Sequence, residues 1–297
     1  MKIIIAGGTG FLGENLKEYF RTKGNQVYIL TRKPKHEHEI YWDATHIGEW
    51  SHKLESCDVL INLTGKSVDC RYNDKNKKEI YSSRIESTRV LHKAVDQCID
   101  KPKIWLNASS ATIYVHSEKN LNTEENGVIG DDFSMNICKS WEKEFFAVHH
   151  DEIRKVALRT SIVMGKNGGA FPKLCQVTKL GLGGRQGRGN QHVSWIHIED
   201  FCRAIEWTIH HEYISGCVNV TAPQPLTNEE LMKKLRKRLR IPFGINSPVW
   251  QLELASVFLN TETELLLKSR NVYPEILMKN GFQFLYPDID SALQKLI

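Results

Sequence analysis

The sequence predicts an α/β protein: a doubly wound parallel sheet carrying a smaller, mostly helical C-terminal substrate region. Three observations predict it. The chain opens on an apolar strand that runs through a glycine turn into a helix, "KIIIAGGTGFLG". Short apolar runs then alternate with amphipathic helical stretches through the first half. The runs are apolar on both faces, as strands are when helices cover a parallel sheet from either side.

In order along the chain, Lys2–Ala6 reads as a strand, Phe11–Lys23 as a helix stopped by Gly24, Gln26–Thr31 as a strand and Glu39–Trp42 as a short one. Asp58–Leu63 follows as a strand, then a long helix from about Lys75 to Cys98, a strand Lys103–Ser109, a helix Asp132–His149 and a strand Lys155–Val163. Past Gly165 the pattern loosens into the glycine-rich "GLGGRQGRGNQ" (Gly181–Gln191), a strand and helix over "VSWIHIEDFCRAIEWTIHH", and the strand "CVNVT". Thr227 and Glu230 make a capping box that opens a further helix, and Pro242, Pro248 and Pro274 punctuate the remainder. The expected division is a sheet domain of residues 1–165 plus about 190–222, and a smaller region of about 166–189 plus 223–297.

A chain of 297 residues, 41% hydrophobic and 25% charged, is ordinary for a soluble globular protein. No segment holds the roughly 18 uninterrupted apolar residues of a membrane span. "MKIIIAGG" passes into the glycine turn without the apolar stretch and cleavage site of a signal peptide, so a cytoplasmic monomer or homodimer with no membrane partner is expected. Seven cysteines, an odd number with no C-x-x-C pair, read as reduced thiols and not as zinc ligands. The net charge of +5 is mild. In the basic run Lys233–Arg240, the spacing of Leu231, Leu235 and Leu239 gives a helix with an apolar stripe and a solvated basic face, so no nucleic-acid partner is expected. His36 and His38 alternate as metal ligands would on a strand, but in a charged loop they read as a solvated turn, and no metal is expected.

The glycines at the start carry the first chemistry. Gly7 permits the tight turn, Gly10 lets a pyrophosphate approach the backbone, and Gly13 lets helix and strand pack closely, as in Rossmann-type dinucleotide sites. The unpaired N–H groups of the helix N-terminus suit the diphosphate. At the end of the second strand, where a free ribose 2′-hydroxyl usually meets an acidic residue, the chain has Thr31, Arg32 and Lys33. An arginine there fits a 2′-phosphate, so NADP(H) is expected over NAD(H).

The glycine turn, "INLTG" (Ile61–Gly65), "SSATIY" (Ser109–Tyr114) and "LRTSIVMG" (Leu158–Gly165) resemble, in order and spacing, the extended short-chain dehydrogenase/reductase superfamily of nucleotide-sugar epimerases and dehydratases. Within it, "SSRIESTRVL", "CKSWEKE", "QHVSWIHIEDF", "VNVTAPQPLTNEEL" and "YPEIL" resemble the atypical 39U-type epimerase-like subgroup, and the likeness runs the length of the chain. The resemblance implies that Thr9, Gly10, Phe11 and Leu12 meet the pyrophosphate, Thr31 and Arg32 the adenosine ribose, and Leu63, Thr64 and Gly65 the cofactor's middle. It also places Arg84 within reach of the cofactor and Asp43 beside the adenine.

The superfamily's serine matches Ser110 and its lysine matches Lys139, but four residues before that lysine, where the family keeps a catalytic tyrosine, stands Met135, which has no proton to give. The expectation is an NADP-dependent oxidoreductase or epimerase using hydride transfer on an unidentified carbonyl, alcohol or nucleotide-sugar substrate, with Tyr114 as substitute acid beside Ser110. The alternative is a catalytically impaired NADP-binding sensor acting through a protein partner. The small-molecule substrate is expected between the sheet's carboxyl edge and the C-terminal region. Trp195 and His197 fall near that cleft, and Arg185, Arg188 and Gln191 lie on a flexible glycine loop suited to closing over an anionic substrate.

Overall fold

The computed structural model describes residues 1–258 and 262–297. Its strands are β1 (Lys2–Ala6), β2 (Gln26–Thr31), β3 (Glu39–Tyr41), β4 (Val59–Asn62), β5 (Ile104–Ser110), β6 (Arg154–Thr160), β7 (Ile162–Gly165), β8 (Gly168–Gly169), β9 (His192–Val193), β10 (Trp195–His197), β11 (Gly216–Val220) and β12 (Leu226–Thr227). Its helices are α1 (Phe11–Thr22), α2 (Asp74–Asp96), α3 (Phe133–Phe146), α4 (Phe171–Val177), α5 (Ile198–His210), α6 (Asn228–Leu239), α7 (Val249–Phe258), α8 (Glu264–Leu267), α9 (Glu275–Lys279) and α10 (Ile289–Leu296).

Seven strands lie in the order β11-β6-β5-β4-β1-β2-β3, all parallel. The chain winds outward from β1 in both directions, so strand order reverses between β1 and β4. Ligands of open α/β sheets bind at the carboxyl side of such a reversal. Alternation along the strands divides the core in two. Ile3, Ile5, Ile29, Ile61 and Leu158 pack under Leu16 and Phe20 of α1 and Phe201 and Ile205 of α5. Ile4, Leu60, Trp105 and Ala157 pack on the other face with Val90, Leu91 and Val95 of α2 and Phe145 of α3. A third cluster joins Met164, Trp195, Leu226, Leu231, Met232 and Leu235 to Ile289 and Leu293 of α10.

Two expectations change. The strand expected over Lys155–Val163 is broken at Ser161: β6 stays in the seven-stranded sheet, while β7 leaves it to pair with β10, Ile162 opposite Trp195. The glycine-rich loop is not free either. Gly184 N–H donates to Ile245 O (3.1 Å), Ser247 N–H to Arg185 O (2.9 Å) and Gly187 N–H to Ser247 O (2.8 Å), so a strand-like ladder holds it against residues 245–247. The capping box forms as expected, Thr227 and Glu230 each capping the other's backbone N–H. No helix among the described residues is long and apolar enough to cross a membrane.

Candidate cofactor and substrate site

Gly7 follows β1 at φ 72°, in the left-handed region, where a Cβ would stand 2.8 Å from Thr64 Oγ1. A side chain on Gly13 would collide with the backbone of Gly8, so strand and helix touch through main chain. Gly10, the N-cap of α1, is exposed and has nothing within 4 Å of a Cβ position. The turn therefore closes on the protein at Gly7 and Gly13 and opens outward at Thr9 and Gly10, where the helix presents its unpaired N–H groups. The Phe11 ring packs against Gly165, Gly168 and Gly169, and Leu12 packs against the core.

At the end of β2, Thr31 is buried and its Oγ1 accepts from Lys33 N–H (3.3 Å). Arg32 beside it is exposed and makes no hydrogen bond or ion pair among the described residues. Asp43 folds back on its own turn, accepting from Thr45 N–H (2.8 Å) and His46 N–H (2.9 Å) and meeting His46 Nδ1 (2.7 Å). Desolvation opposes its ionisation, but the His46 and Thr45 hydrogen bonds outweigh it and hold the carboxyl well below the usual carboxylate range.

The middle of the cleft is set by two residues that the sequence reading did not single out. Asn62 and Asn107 are register partners on β4 and β5, fully buried, with Asn62 Nδ2 donating to Asn107 Oδ1 (2.7 Å) and to Thr88 Oγ1 (3.2 Å). Asn62 Oδ1 then accepts from Thr64 N–H (3.1 Å), which fixes the turn Leu63–Gly65 over Gly7. An asparagine inside each of two otherwise apolar strands was the available signal. Beneath this turn Arg84 Nη1 donates to Lys66 O (3.1 Å) and Ile80 O (2.9 Å), and its guanidinium lies 5.0 Å from the Trp141 ring centroid.

Of the catalytic expectations, Ser110 ends β5 with its Oγ donating to Thr112 Oγ1 (2.9 Å) and accepting from Thr112 N–H (3.2 Å). Met135 is 4% exposed, its sulfur lodged beneath Gly130. Lys139, one turn on, pairs at the surface with Asp131. The expectation for Tyr114 is corrected: the residue is 0% exposed, and its hydroxyl donates to Asn219 Oδ1 (2.9 Å) and accepts from Arg159 Nη1 (2.9 Å). Desolvation raises its pKa, and its hydroxyl is committed to the core, so it offers no proton to a ligand. Arg159 also grips Glu142, which accepts from Ser109 Oγ (2.6 Å), so the network ties β5, α3, β6 and β11 together.

The substrate expectations are corrected in part. Trp195 is buried in the third cluster with its Nε1 donating to Gln224 O (3.2 Å). His197 caps α5, its Nδ1 accepting from Glu199 N–H (3.1 Å) and its ring 4.0 Å from that of Tyr286; burial pushes its pKa down to about 4. Gln191 is buried and braces the glycine loop by donating to Gln186 O (2.7 Å). Arg185 and Arg188 remain exposed on that pinned loop. A depression of about 540 Å³ lined by Lys166, Phe171, Lys179, Leu239 and Ile297 shares no residue with the glycine turn. Among the described residues, no group of three His, Cys, Asp or Glu side chains is placed to hold a metal ion, and all seven cysteines are free.

Comparison with known proteins agrees with this geometry. The model of the NAD dependent epimerase/dehydratase family matches residues 3–220, and a domain of unknown function (DUF1731) matches residues 247–296. Epimerase family protein YfhF of Bacillus subtilis is 33% identical over 302 residues, covering 100% of this chain and 98% of its own. The crystal structure of human epimerase family protein SDR39U1 with NADPH superposes at a TM-score of 0.90 with 30% identity, covering 100% of this chain and 99% of its own. A nucleoside-diphosphate sugar epimerase from Corynebacterium glutamicum superposes at 0.82 with 27% identity, over 100% of this chain and 58% of its own.

Proposed function

We propose that this chain, which belongs to the NAD dependent epimerase/dehydratase family, works as an NADP(H)-dependent oxidoreductase or epimerase on a carbonyl, alcohol or nucleotide-sugar substrate. The observation that carries the reading is an open glycine turn at the end of β1 and, at the end of the neighbouring β2, an exposed Arg32 with no partner among the described residues. The human relative of known structure, which holds NADPH, supports the choice of cofactor.

Bound in this cleft, the dinucleotide supplies hydride chemistry. The chain's residues divide the remaining work. The N–H groups of Thr9–Gly13 bind the pyrophosphate, Thr31 and Arg32 take the 2′-phosphate, and Thr64 and Gly65 line the middle with Asn62 and Asn107 as their support. Ser110 orients the substrate oxygen. Lys139, paired with Asp131 at the surface, would hold the nicotinamide ribose hydroxyls. Proton movement falls to the hydroxyl pair Ser110–Thr112, because Met135 and Tyr114 cannot contribute.

The test is loss of NADPH absorbance by the purified protein with a panel of carbonyl compounds and, because epimerisation returns the hydride and leaves no net change in absorbance, NMR detection of epimer formation from nucleotide sugars by the NADP-loaded protein. Turnover that Ser110→Ala lowers by about 10²-fold or more supports the reading. Tight NADPH binding with no turnover across the panel would make the chain a cofactor-binding protein instead.

A further inference from the structure

The basic run that the cofactor site leaves unused ends in an apolar surface. Residues 231–250 hold six cations, Lys233, Lys234, Arg236, Lys237, Arg238 and Arg240, and no acid. On α6 the spacing i, i+4, i+7 sets Lys233, Lys237 and Arg240 in one stripe, and all three are exposed with no carboxylate partner among the described residues. Glu229 and Glu230 lie at the opposite end of α6, Asp290 is spent on Lys234, and Glu253 lies beyond Trp250 on α7.

The chain leaves α6 through Arg240, a left-handed cap at φ 60°, and carries Phe243 and Ile245 onto the surface. There Ile245 N–H donates to Gly181 O (2.8 Å), and a Cβ on Gly181 would stand 3.2 Å from the Phe243 ring. Arg236 joins this loop to the basic stripe, its stem packed beside Gly244 and its Nη1 donating to Gly183 O. Phe243 is 63% exposed, Ile245 56%, Leu180 69% and, at the start of α7, Trp250 63%. A single exposed apolar side chain is ordinary. Four large ones on a pinned strip beside unpaired cations have the composition of a face that lies on an anionic bilayer, where apolar groups enter the boundary of headgroups and chains and cations meet the headgroups.

Two other occupants fit this surface less well. A second copy seated by two-fold symmetry would set the stripe of cations against itself. A single-stranded nucleic acid stacks its bases on aromatic faces, and Leu180 and Ile245 offer none. We propose that the α6 stripe and the strip of Leu180, Phe243, Ile245 and Trp250 form a docking face for an anionic phospholipid surface, on which the protein lies without spanning it. Lying on a bilayer requires no apolar helix long enough to cross one, and none is found among the described residues. This replaces the expectation of no membrane partner: the sequence pattern shows the basic stripe as a solvated face, and the apolar strip beside it emerges only in the fold. The docking face is independent of the cofactor reading.

The experiment is sedimentation of the full chain with vesicles of phosphatidylcholine alone, or of phosphatidylcholine and phosphatidylserine in about a two-to-one ratio. Binding to the mixed vesicles should be at least about tenfold tighter than to the neutral ones and should weaken as salt is added. The triple variant Lys233→Glu, Lys237→Glu, Arg240→Glu should lose at least about tenfold, and the double variant Phe243→Ser, Trp250→Ser at least about fivefold, with melting temperature and NADPH affinity unchanged in both. Trp250 is the only exposed tryptophan among the described residues, so the emission of the unmodified chain should shift to the blue on the mixed vesicles and Trp250→Phe should remove the shift. Equal binding to both vesicle types, or binding to neither, overturns the proposal, as does full binding by the folded triple variant. Binding of a single-stranded RNA more tightly than vesicles, lost in the triple variant, would make the face a nucleic-acid surface instead. A dimer in solution that the double variant dissolves would make it a subunit interface.

Discussion

Arg159 holds Glu142 in a two-pronged grip, Nε to Oε1 at 2.9 Å and Nη2 to Oε2 at 2.8 Å, with both side chains shielded from solvent. Its remaining arm meets the Tyr114 hydroxyl. Glu142→Ala leaves that guanidinium buried without its counter-charge, and the expected loss of stability is about 3–5 kcal/mol. Tyr114→Phe removes one hydroxyl from the same network, and about 1–3 kcal/mol is expected. Denaturant unfolding measures both. NADPH affinity of the folded Tyr114→Phe protein should be unchanged; a large loss of turnover in that variant would return Tyr114 to the chemistry.

Met135→Tyr introduces the residue type that the resemblance to the wider superfamily would put at this position. The slot is filled already, with the methionine sulfur lodged beneath Gly130. The larger ring should cost about 1–3 kcal/mol of stability through overpacking and raise no turnover. A variant of unchanged melting temperature with enhanced NADPH oxidation would show that the slot opens toward the cofactor after all.

Much of this was legible in the sequence, and the boundary is physical. The strands of the sheet and the glycine turn follow from short-range pattern: two-sided apolar runs, and glycines whose spacing matches a strand, a turn and a helix. Tyr114 and Trp195 were misplaced because their roles are set by partners far along the chain, Asn219 for Tyr114 and Gln224 for Trp195, whereas His197 bonds the backbone, as a histidine before a helix can. An aromatic ending a strand looks the same whether it turns to the cleft or to the core.

Arg32→Asp should lower NADPH affinity by at least about tenfold and bring NADH level with it or ahead, because the exposed cation that fits a 2′-phosphate becomes an anion that fits a 2′-hydroxyl. Calorimetry with each cofactor reads this. Equal affinities of the unmodified protein for the two cofactors would remove Arg32 from the site.

Acid sensitivity should come from two buried imidazoles. Burial pushes both His92 and His197 down to about 4, from an ordinary value of 6.5. Between those limits the unfolded chain binds protons that the folded one refuses. Stability is therefore full above about pH 6.5 and falls as pH drops toward about 4, by up to about 3 kcal/mol per histidine before relaxation is allowed for. Thermal melts across this range should show the fall, and His197→Asn, which keeps an acceptor for the Glu199 N–H, should flatten it. An unchanged slope in that variant would place the proton uptake elsewhere.

The interruption at Ser161 makes a seam in the molecule. Upstream of it, β6 is locked in register across the sheet, Thr160 opposite Ser110 and Val220. Immediately downstream, β7 answers to a different partner, β10. Because side chains alternate faces with every residue, adding or removing one residue at this point would turn β7 over and leave the seven-stranded register intact. The seven-stranded sheet that carries the glycine turn can thus stay constant while the β7–β10 pairing is re-cut, so a one-residue change here would remodel one region without rebuilding the other.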